Sequence, residues 1–272
     1  MRTVTREQGE SLRVPDVQHD APLRSISMIV TAMNEEGNLP ATVESVSGAL
    51  APRGWDYEII IVDDGSRDRT GAIADDLAAR DPRIRVHHQP RNLGLHRAYL
   101  KGIELAAKEH IGWVAGNNII PMAALDAIFD RVGEADMVLS YPDVDPRRKR
   151  RRWVSRSFVI LLNVLFGVRL RYYTGPCVFR ADVAKSLKTV AHGSMMVPEL
   201  LLRLIKAGQT YIEVDIHPKP RSAGRTKTFR PSNIIYVVSS VLRLFIDIQL
   251  VGLFRPRRPV RRGIASSDRQ AR

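Results

Sequence analysis

The sequence predicts an α/β fold in which a mostly parallel central sheet is flanked by helices, and two observations carry that expectation. Through the first half of the chain, short apolar runs alternate with helix-length amphipathic segments, the pattern of successive βα units. One run, Ile59-Ile60-Ile61-Val62 within YEIIIVDDGSRDRT at 57–70, is apolar on both faces, as a central strand of a parallel sheet must be. It stops abruptly at Asp63-Asp64-Gly65-Ser66. The carboxyl ends of such strands are where open α/β sheets bind ligands. A turn alone would need one Asp and one Gly for its backbone geometry. The second acid, straight after a buried strand, points to a ligand site.

The elements follow in order. Residues 1–24 are polar, with two prolines and mixed charge, and are expected to form a disordered leader. A strand is expected over 26–31, then a helix over 39–50 with Asn38 as N-cap and Pro40 in the first turn. The central strand is followed by a helix from about Thr70, with Asp68 or Ser66 as its cap. Strands are expected over 84–88, 112–115 and 137–140, and helices over 96–108 and from Pro121 to about Val132. Beyond the basic run Arg147-Arg148-Lys149-Arg150-Arg151-Arg152, the stretch 153–170 reads as an apolar helix flanked by arginines. A loop at 174–176 enters a short strand, helices follow over 181–187 and 196–207, and YIEVDIH at 211–217 alternates as a strand. A basic loop covers 218–230, and a helix is expected over 232–254. The organisation is thus a leader at 1–24, one globular domain at 25–230, an amphipathic helix at 231–254 and a basic tail at 255–272.

Composition narrows the function. Of the chain's 272 residues 44% are hydrophobic, which is globular. The single cysteine, Cys177, excludes an internal disulfide and any multi-cysteine metal site, and reads as a small buried hydrophobe. The net charge of +13 predicts attraction to a polyanion. Because the basic clusters adjoin apolar stretches and are not interleaved with aromatics, an anionic membrane surface is favoured over nucleic acid. Residues 1–23 have no apolar core, so no signal peptide is expected. The most apolar C-terminal stretch carries Arg243 and Asp247, which are costly in mid-bilayer. Neither a Gly-x-Gly-x-x-Gly turn nor a Gly-x-x-x-x-Gly-Lys loop is present, which argues against nicotinamide, flavin and P-loop chemistry.

Five motifs together resemble the inverting family 2 glycosyltransferases, in particular the dolichol-phosphate mannosyltransferase-like, or polyprenyl-phosphate, branch. They are TAMNEEGNL from Thr31, EIIIVDDGSRDRT from Glu58, RNLG from Arg91, TGPCVFR from Thr174 and RSAGRTK from Arg221. The resemblance implies a GT-A fold, a GDP- or UDP-linked sugar as donor and a polyprenyl or dolichyl phosphate as acceptor. It implies donor contacts from Thr31, Ala32, Asn34, Glu35, Asp63, Asp64, Arg91 and Asn92. Arg151 and Ser155 resemble an Arg-x-x-x-Ser pattern near the acceptor phosphate, and Arg225 and Lys227 lie in a loop resembling one that covers the active site. The family's arginine just after the fifth strand has no counterpart near Ser140-Tyr141-Pro142.

The chain departs from the family at Gly116-Asn117-Asn118, where an Asp-x-Asp usually binds the Mg2+ or Mn2+ that bridges the donor diphosphate. Asn117 and Asn118 could ligate only through neutral carbonyls, whereas these hard cations prefer anionic oxygens. Asn118 is the one candidate metal ligand, and Arg91, Arg180 or Lys227 could replace the metal's charge. The implied protein is a peripheral enzyme on the cytoplasmic face of the membrane, with the 153–170 and 234–254 helices in the interface, or with 153–170 instead packed in the core of the catalytic domain or in a homo-oligomer contact. Two alternatives remain: transfer to a soluble or cell-envelope glycan, and a degenerate GT-A protein that binds without transfer.

Overall fold

The computed structural model describes residues 24–143, 149–187, 195–219 and 231–250. Residues 1–23 of the expected leader and the basic tail lie outside the described residues, as do Arg225 and Lys227. A seven-stranded sheet forms the centre: β1 (Ser25–Ala32), β2 (Asp56–Asp63), β3 (Ile84–His88), β4 (His110–Ala115), β5 (Met137–Pro142), β6 (Cys177–Arg180) and β7 (Tyr211–Ile216). Their order across the sheet is β3-β2-β1-β4-β6-β5-β7. Every neighbouring pair is parallel except those made by β6, which runs antiparallel between β4 and β5. The carboxyl ends of the six parallel strands therefore share one edge.

Helices cover both faces. On one side α1 (Leu39–Leu50), α2 (Thr70–Arg80) and α4 (Met122–Phe129) pack over the core that contains Met28, Val30, Ile59 and Ile61. The other core contains Ile29, Ile60 and Val62. It is roofed by α3 (Leu95–Leu105), α5 (Lys149–Phe166), α6 (Ala181–Ser186), α7 (Met196–Lys206) and α8 (Pro231–Phe245). Residues 59–62 thus alternate between two cores, which is why that run carries no polar residue. No helix among the described residues is long and apolar enough to cross a membrane.

Local chemistry shifts several boundaries. The apolar helix expected over 153–170 begins earlier, at Lys149, and ends at Phe166, because Gly167 takes a left-handed conformation with φ 61°. The last helix starts at Pro231, and a π-turn (Ile246–Leu250) follows it. Asn38 precedes α1 as expected, but its side chain donates to Glu35 Oε2 at 2.7 Å and does not cap the helix. Asp68 accepts from the Thr70 N–H at 3.0 Å, ahead of α2. Cys177 is buried beside Tyr99, and burial pushes its thiol up to about 12, which suits a packing residue and not a nucleophile.

Candidate nucleotide-binding edge

At the carboxyl edge, the loops after β1 and β2 clasp each other through reciprocal hydrogen bonds. The Asn34 N–H donates to Ser66 Oγ at 2.9 Å, and the Arg67 N–H returns to Asn34 Oδ1 at 2.9 Å. One residue on, the Glu35 N–H donates to Thr70 Oγ1 at 2.8 Å. The Glu36 N–H donates to Asp68 Oδ2, and the Arg69 N–H to Glu36 Oε2. Asn34 reaches this geometry with φ 55°, a region Asn tolerates better than most residues. Thr31 and Ala32, both buried, are held just behind. Their carbonyls accept from Gly116 N–H and Asp64 N–H, and Thr31 Oγ1 accepts from the Trp113 indole at 3.1 Å.

The two acids of Asp63-Asp64 point to opposite faces of the sheet. Asp63 Oδ1 accepts from the Ser66 N–H, and its Oδ2 lies 3.0 Å from His88 Nδ1. The other ring nitrogen of His88 is 3.0 Å from Asp75 Oδ1 in α2. Hydrogen bonds to Asp63 and then Asp75 hold the His88 pKa above its ordinary value. Asp64 turns toward α3, where it accepts from the Leu93 N–H at 2.8 Å and the Gly94 N–H at 3.0 Å. Burial raises the Asp64 pKa, against those two backbone donors.

Gly65 completes the joint. It has φ 68°, and a Cβ there would stand 2.4 Å from the Arg91 carbonyl carbon and 2.7 Å from the Asn92 nitrogen. Asp-Asp-Gly-Ser is therefore a seat for the 89–94 loop, with the glycine permitting contact and Asp64 fixing register. That loop presents Arg91 and Asn92 at the surface. Beneath it Gln89 is buried, and neither its amide oxygen nor its nitrogen has a hydrogen-bond partner. No local pattern signals the places of His88 and Gln89, because both depend on neighbours in other elements.

The next turn is built differently. At Gly116-Asn117-Asn118, the Asn117 Oδ1 accepts weakly from the Ile119 N–H at 3.4 Å. Asn118 has φ 51°, and its backbone N–H donates to Thr42 Oγ1 at 3.0 Å. Its Oδ1 is buried with no partner. Among the described residues no group of three or more His, Cys, Asp or Glu could hold a metal ion. One orphan amide oxygen is a poor match for a divalent cation on a diphosphate, so the residues present do not fit that group.

Cations reach this edge from elsewhere in the chain. Arg171, in the segment between α5 and β6, lies over the ring of Tyr141 at 4.6 Å from its centroid and donates to the Tyr141 hydroxyl. It supplies a guanidinium at the end of β5, where the sequence offered none. Thr174-Gly175-Pro176 come to the same edge, pinned by a bond from Ser140 Oγ to the Pro176 carbonyl at 2.7 Å. The Lys219 N–H donates to the Ile119 carbonyl, so the chain enters 220–230 beside the Asn118 turn. Arg180, considered above as a replacement for the metal's charge, is excluded. Because β6 is antiparallel, Arg180 sits opposite His110 at the start of β4, roughly 15–20 Å from that strand's carboxyl end. There it pairs with Glu109 and Asp182. Arg151 and Ser155 both fall in the first two turns of α5, which starts from the carboxyl edge.

Comparison with known proteins agrees with this geometry. The glycosyl transferase family 2 profile matches residues 27–195. Polyprenol monophosphomannose synthase of Mycolicibacterium smegmatis is 30% identical over 237 residues, covering 82% of this chain and 86% of that protein. Undecaprenyl-phosphate 4-deoxy-4-formamido-L-arabinose transferase of Pseudomonas paraeruginosa is 27% identical, over 66% of this chain and 54% of its own. Other curated relatives are longer still, and the chain spans 29% and 38% of two of them. Among solved structures, glucosyl-3-phosphoglycerate synthase of Mycobacterium tuberculosis, in complex with Mn2+, UDP and phosphoglyceric acid, aligns with a TM-score of 0.64. It is 18% identical, over 82% of this chain and 78% of its own, a likeness that carries the GT-A fold.

Proposed function

We infer the reaction from the fact that the chain belongs to glycosyl transferase family 2, and we read its carboxyl edge as one that would hold a nucleoside diphosphate without an acidic metal site among the described residues. On this reading it moves a hexose from a GDP- or UDP-linked sugar to a polyprenyl phosphate at the cytoplasmic face of a membrane. The observation that carries the acceptor is the likeness to polyprenol monophosphomannose synthase across 86% of that protein.

The proposed chemistry is an in-line displacement with inversion. An oxygen of the acceptor phosphate forms a bond to the anomeric carbon, and the bond from that carbon to the donor diphosphate breaks. The nucleoside diphosphate leaves with the electron pair. A phosphate is already ionised at neutral pH, so the step needs no strong general base. It does need positive charge, because two anions are brought together. Arg91 and Arg171 are among the described guanidiniums at the edge that would neutralise the diphosphate, with Arg225 and Lys227, beyond the described Lys219, as further sources. The clasp of the first two loops and the Asp64-anchored loop would hold the nucleoside, through backbone groups and the remaining lone pairs of Asp63.

The test is calorimetric titration of GDP-mannose, UDP-glucose and UDP-N-acetylglucosamine, first with Mg2+ or Mn2+ and then with EDTA. Binding of one donor that survives EDTA is the expected result, and that donor then enters a transfer assay with polyprenyl phosphate. Absence of binding to all three under both conditions would overturn the reading. It would favour a second one, a GT-A protein without transferase activity, whose specific support is the amide pair at Asn117 and Asn118.

A further inference from the structure

No step of the transfer uses the ring of His88, yet it is held from both sides. Its Nδ1 lies 3.0 Å from Asp63 Oδ2 and its Nε2 3.0 Å from Asp75 Oδ1. The contact with Asp63 follows from register, because His88 is the partner of Asp63 across β2 and β3. Asp75 comes from the second turn of α2, which closes over the pair at Gly71. A Cβ on Gly71 would stand 3.1 Å from Asp63 Oδ2 and 3.4 Å from the ring. Asp63 in turn accepts the Ser66 N–H through Oδ1 at 3.0 Å, and Ser66 Oγ accepts the Asn34 N–H. A line of hydrogen bonds thus runs from Asp75, through the ring and Asp63, to the loop clasp at the carboxyl edge.

A neutral imidazole carries one N–H and can serve only one carboxylate, so two facing carboxylates call for the imidazolium. The two carboxylates are not equivalent. Asp63 is 6% exposed and Asp75 64%. When the ring loses a proton, water can serve Asp75, whereas buried Asp63 has no such replacement. The proton that stays is therefore the one on Nδ1. Orientation of Asp63 survives deprotonation, and the positive charge beside it does not. Asp63 faces the ring from β2 and Asp75 from α2. On its own strand the neighbouring titratable group is His87, which burial holds below the usual imidazole range.

We propose that His88 is a positioning residue for the nucleotide sugar: it fixes the Asp63 carboxylate beside the nucleoside and, while both ring nitrogens are protonated, offsets that carboxylate's charge against the anionic diphosphate. This deepens the proposed function and rests on it, since the ligand is the one inferred there. Affinity is then highest on the acid side and falls as pH rises through the folded pKa of His88. Hydrogen bonds to Asp63 and then Asp75 hold that pKa above the ordinary value of about 6.5. The ligand contributes no such titration, because the phosphates of a nucleotide sugar are diesters and stay ionised throughout this range.

The experiment is calorimetric titration between about pH 6 and pH 8, with the parent, His88→Gln and Asp75→Asn. The ligand is whichever of GDP-mannose, UDP-glucose and UDP-N-acetylglucosamine the parent prefers. Parent affinity should fall about fivefold across that range. His88→Gln keeps one N–H for Asp63 and has no titrating charge, so its affinity should be flat and close to that of the parent at pH 8. Asp75→Asn is the decisive variant, because Asp75 is exposed and stands on α2, outside the clasped loops. It should keep the acid-side affinity and move the fall to lower pH, which a merely structural ring would not do. Thermal midpoints at each pH confine the comparison to folded protein. Binding with the same pH profile in all three proteins overturns the proposal and leaves the transferase reading standing. So does a fall that persists in His88→Gln, or an Asp75→Asn profile that superimposes on the parent's. No binding of any of the three nucleotide sugars at any pH overturns the transferase reading, and the proposal with it.

Discussion

The two halves of the carboxyl edge are built on opposite principles. From β1 to β3, the Asp-Asp-Gly-Ser turn is tied to neighbouring segments through each of its side chains and through the close approach at its glycine. Ser66 binds Asn34, Asp63 binds His88, Asp64 binds Leu93 and Gly94, and Gly65 lies against Arg91. At the end of β4 the opposite holds, for the Asn118 amide oxygen is buried without a partner and no acidic cluster among the described residues stands near it. On the proposed reading, the difference separates two costs of binding a nucleotide sugar. Ordering the loops that would grip a nucleoside is met in advance by the fold. Neutralising the diphosphate would fall to side chains arriving from distant segments, Arg171 among those described. A site can therefore keep its nucleoside half intact while its way of handling phosphate charge changes.

The largest test of this contrast is Gly65→Ala on the ordered side. The new methyl would press on the Arg91 backbone while φ stays positive, so both loop packing and backbone conformation suffer. A loss of at least about 2 kcal/mol in urea unfolding is expected, with loss of donor binding. A variant as stable as the parent would show that the 89–94 loop is not seated on this turn. Asp64→Ala leaves the Leu93 N–H without the Asp64 carboxylate and the Gly94 N–H with Asn92 Oδ1 as its acceptor. It should cost about 1–3 kcal/mol by the same measurement.

On the other side, Arg171→Gln should leave stability nearly unchanged, within about 0.5 kcal/mol, since its contacts with Tyr141 are exposed. Donor binding should nevertheless weaken by about tenfold, with the salt dependence of binding reduced. Equal affinity in the two proteins would remove Arg171 from the charge account. Asn118→Asp asks whether the bare half can be converted. Aspartate tolerates the positive φ, and a carboxylate there would give a divalent cation an anionic ligand. The variant, and not the parent, should bind donor several-fold more tightly when Mn2+ is added. A matching gain in the parent would mean that the amide pair already serves a metal.

The smallest effect concerns His88. Its folded pKa is raised by Asp63 and Asp75, so the protonated ring stabilises the fold. That contribution is fully present below the ordinary value of about 6.5 and fades as pH climbs through the raised folded value. The ring is partly exposed, and solvent screening keeps the term small. The thermal midpoint should fall between about pH 6 and pH 8 by more in the parent than in His88→Gln. Parallel pH profiles would place the ring outside the joint.

Much of this molecule follows from local pattern alone. Alternation of apolar runs with amphipathic segments is a near-neighbour property, so most strands and helices were legible within a few residues. So was the replacement of acids by Asn117 and Asn118, which is a matter of composition at one turn. The antiparallel insertion of β6 was not, because strand direction is set by which neighbours a four-residue segment pairs with. It is that direction which carries Arg180 away from the site and Thr174-Gly175-Pro176 toward it. The same holds for the reason the central turn needs its glycine and its second aspartate. Residues 63–66 read as a ligand site in the sequence, yet what they hold first is backbone some 30 residues further along, at Leu93 and Gly94. Local periodicity determined the elements. Contacts across long stretches of chain, which only folding brings within hydrogen-bond reach, decided what the turn holds and left the outer faces of α5 and α8 bare.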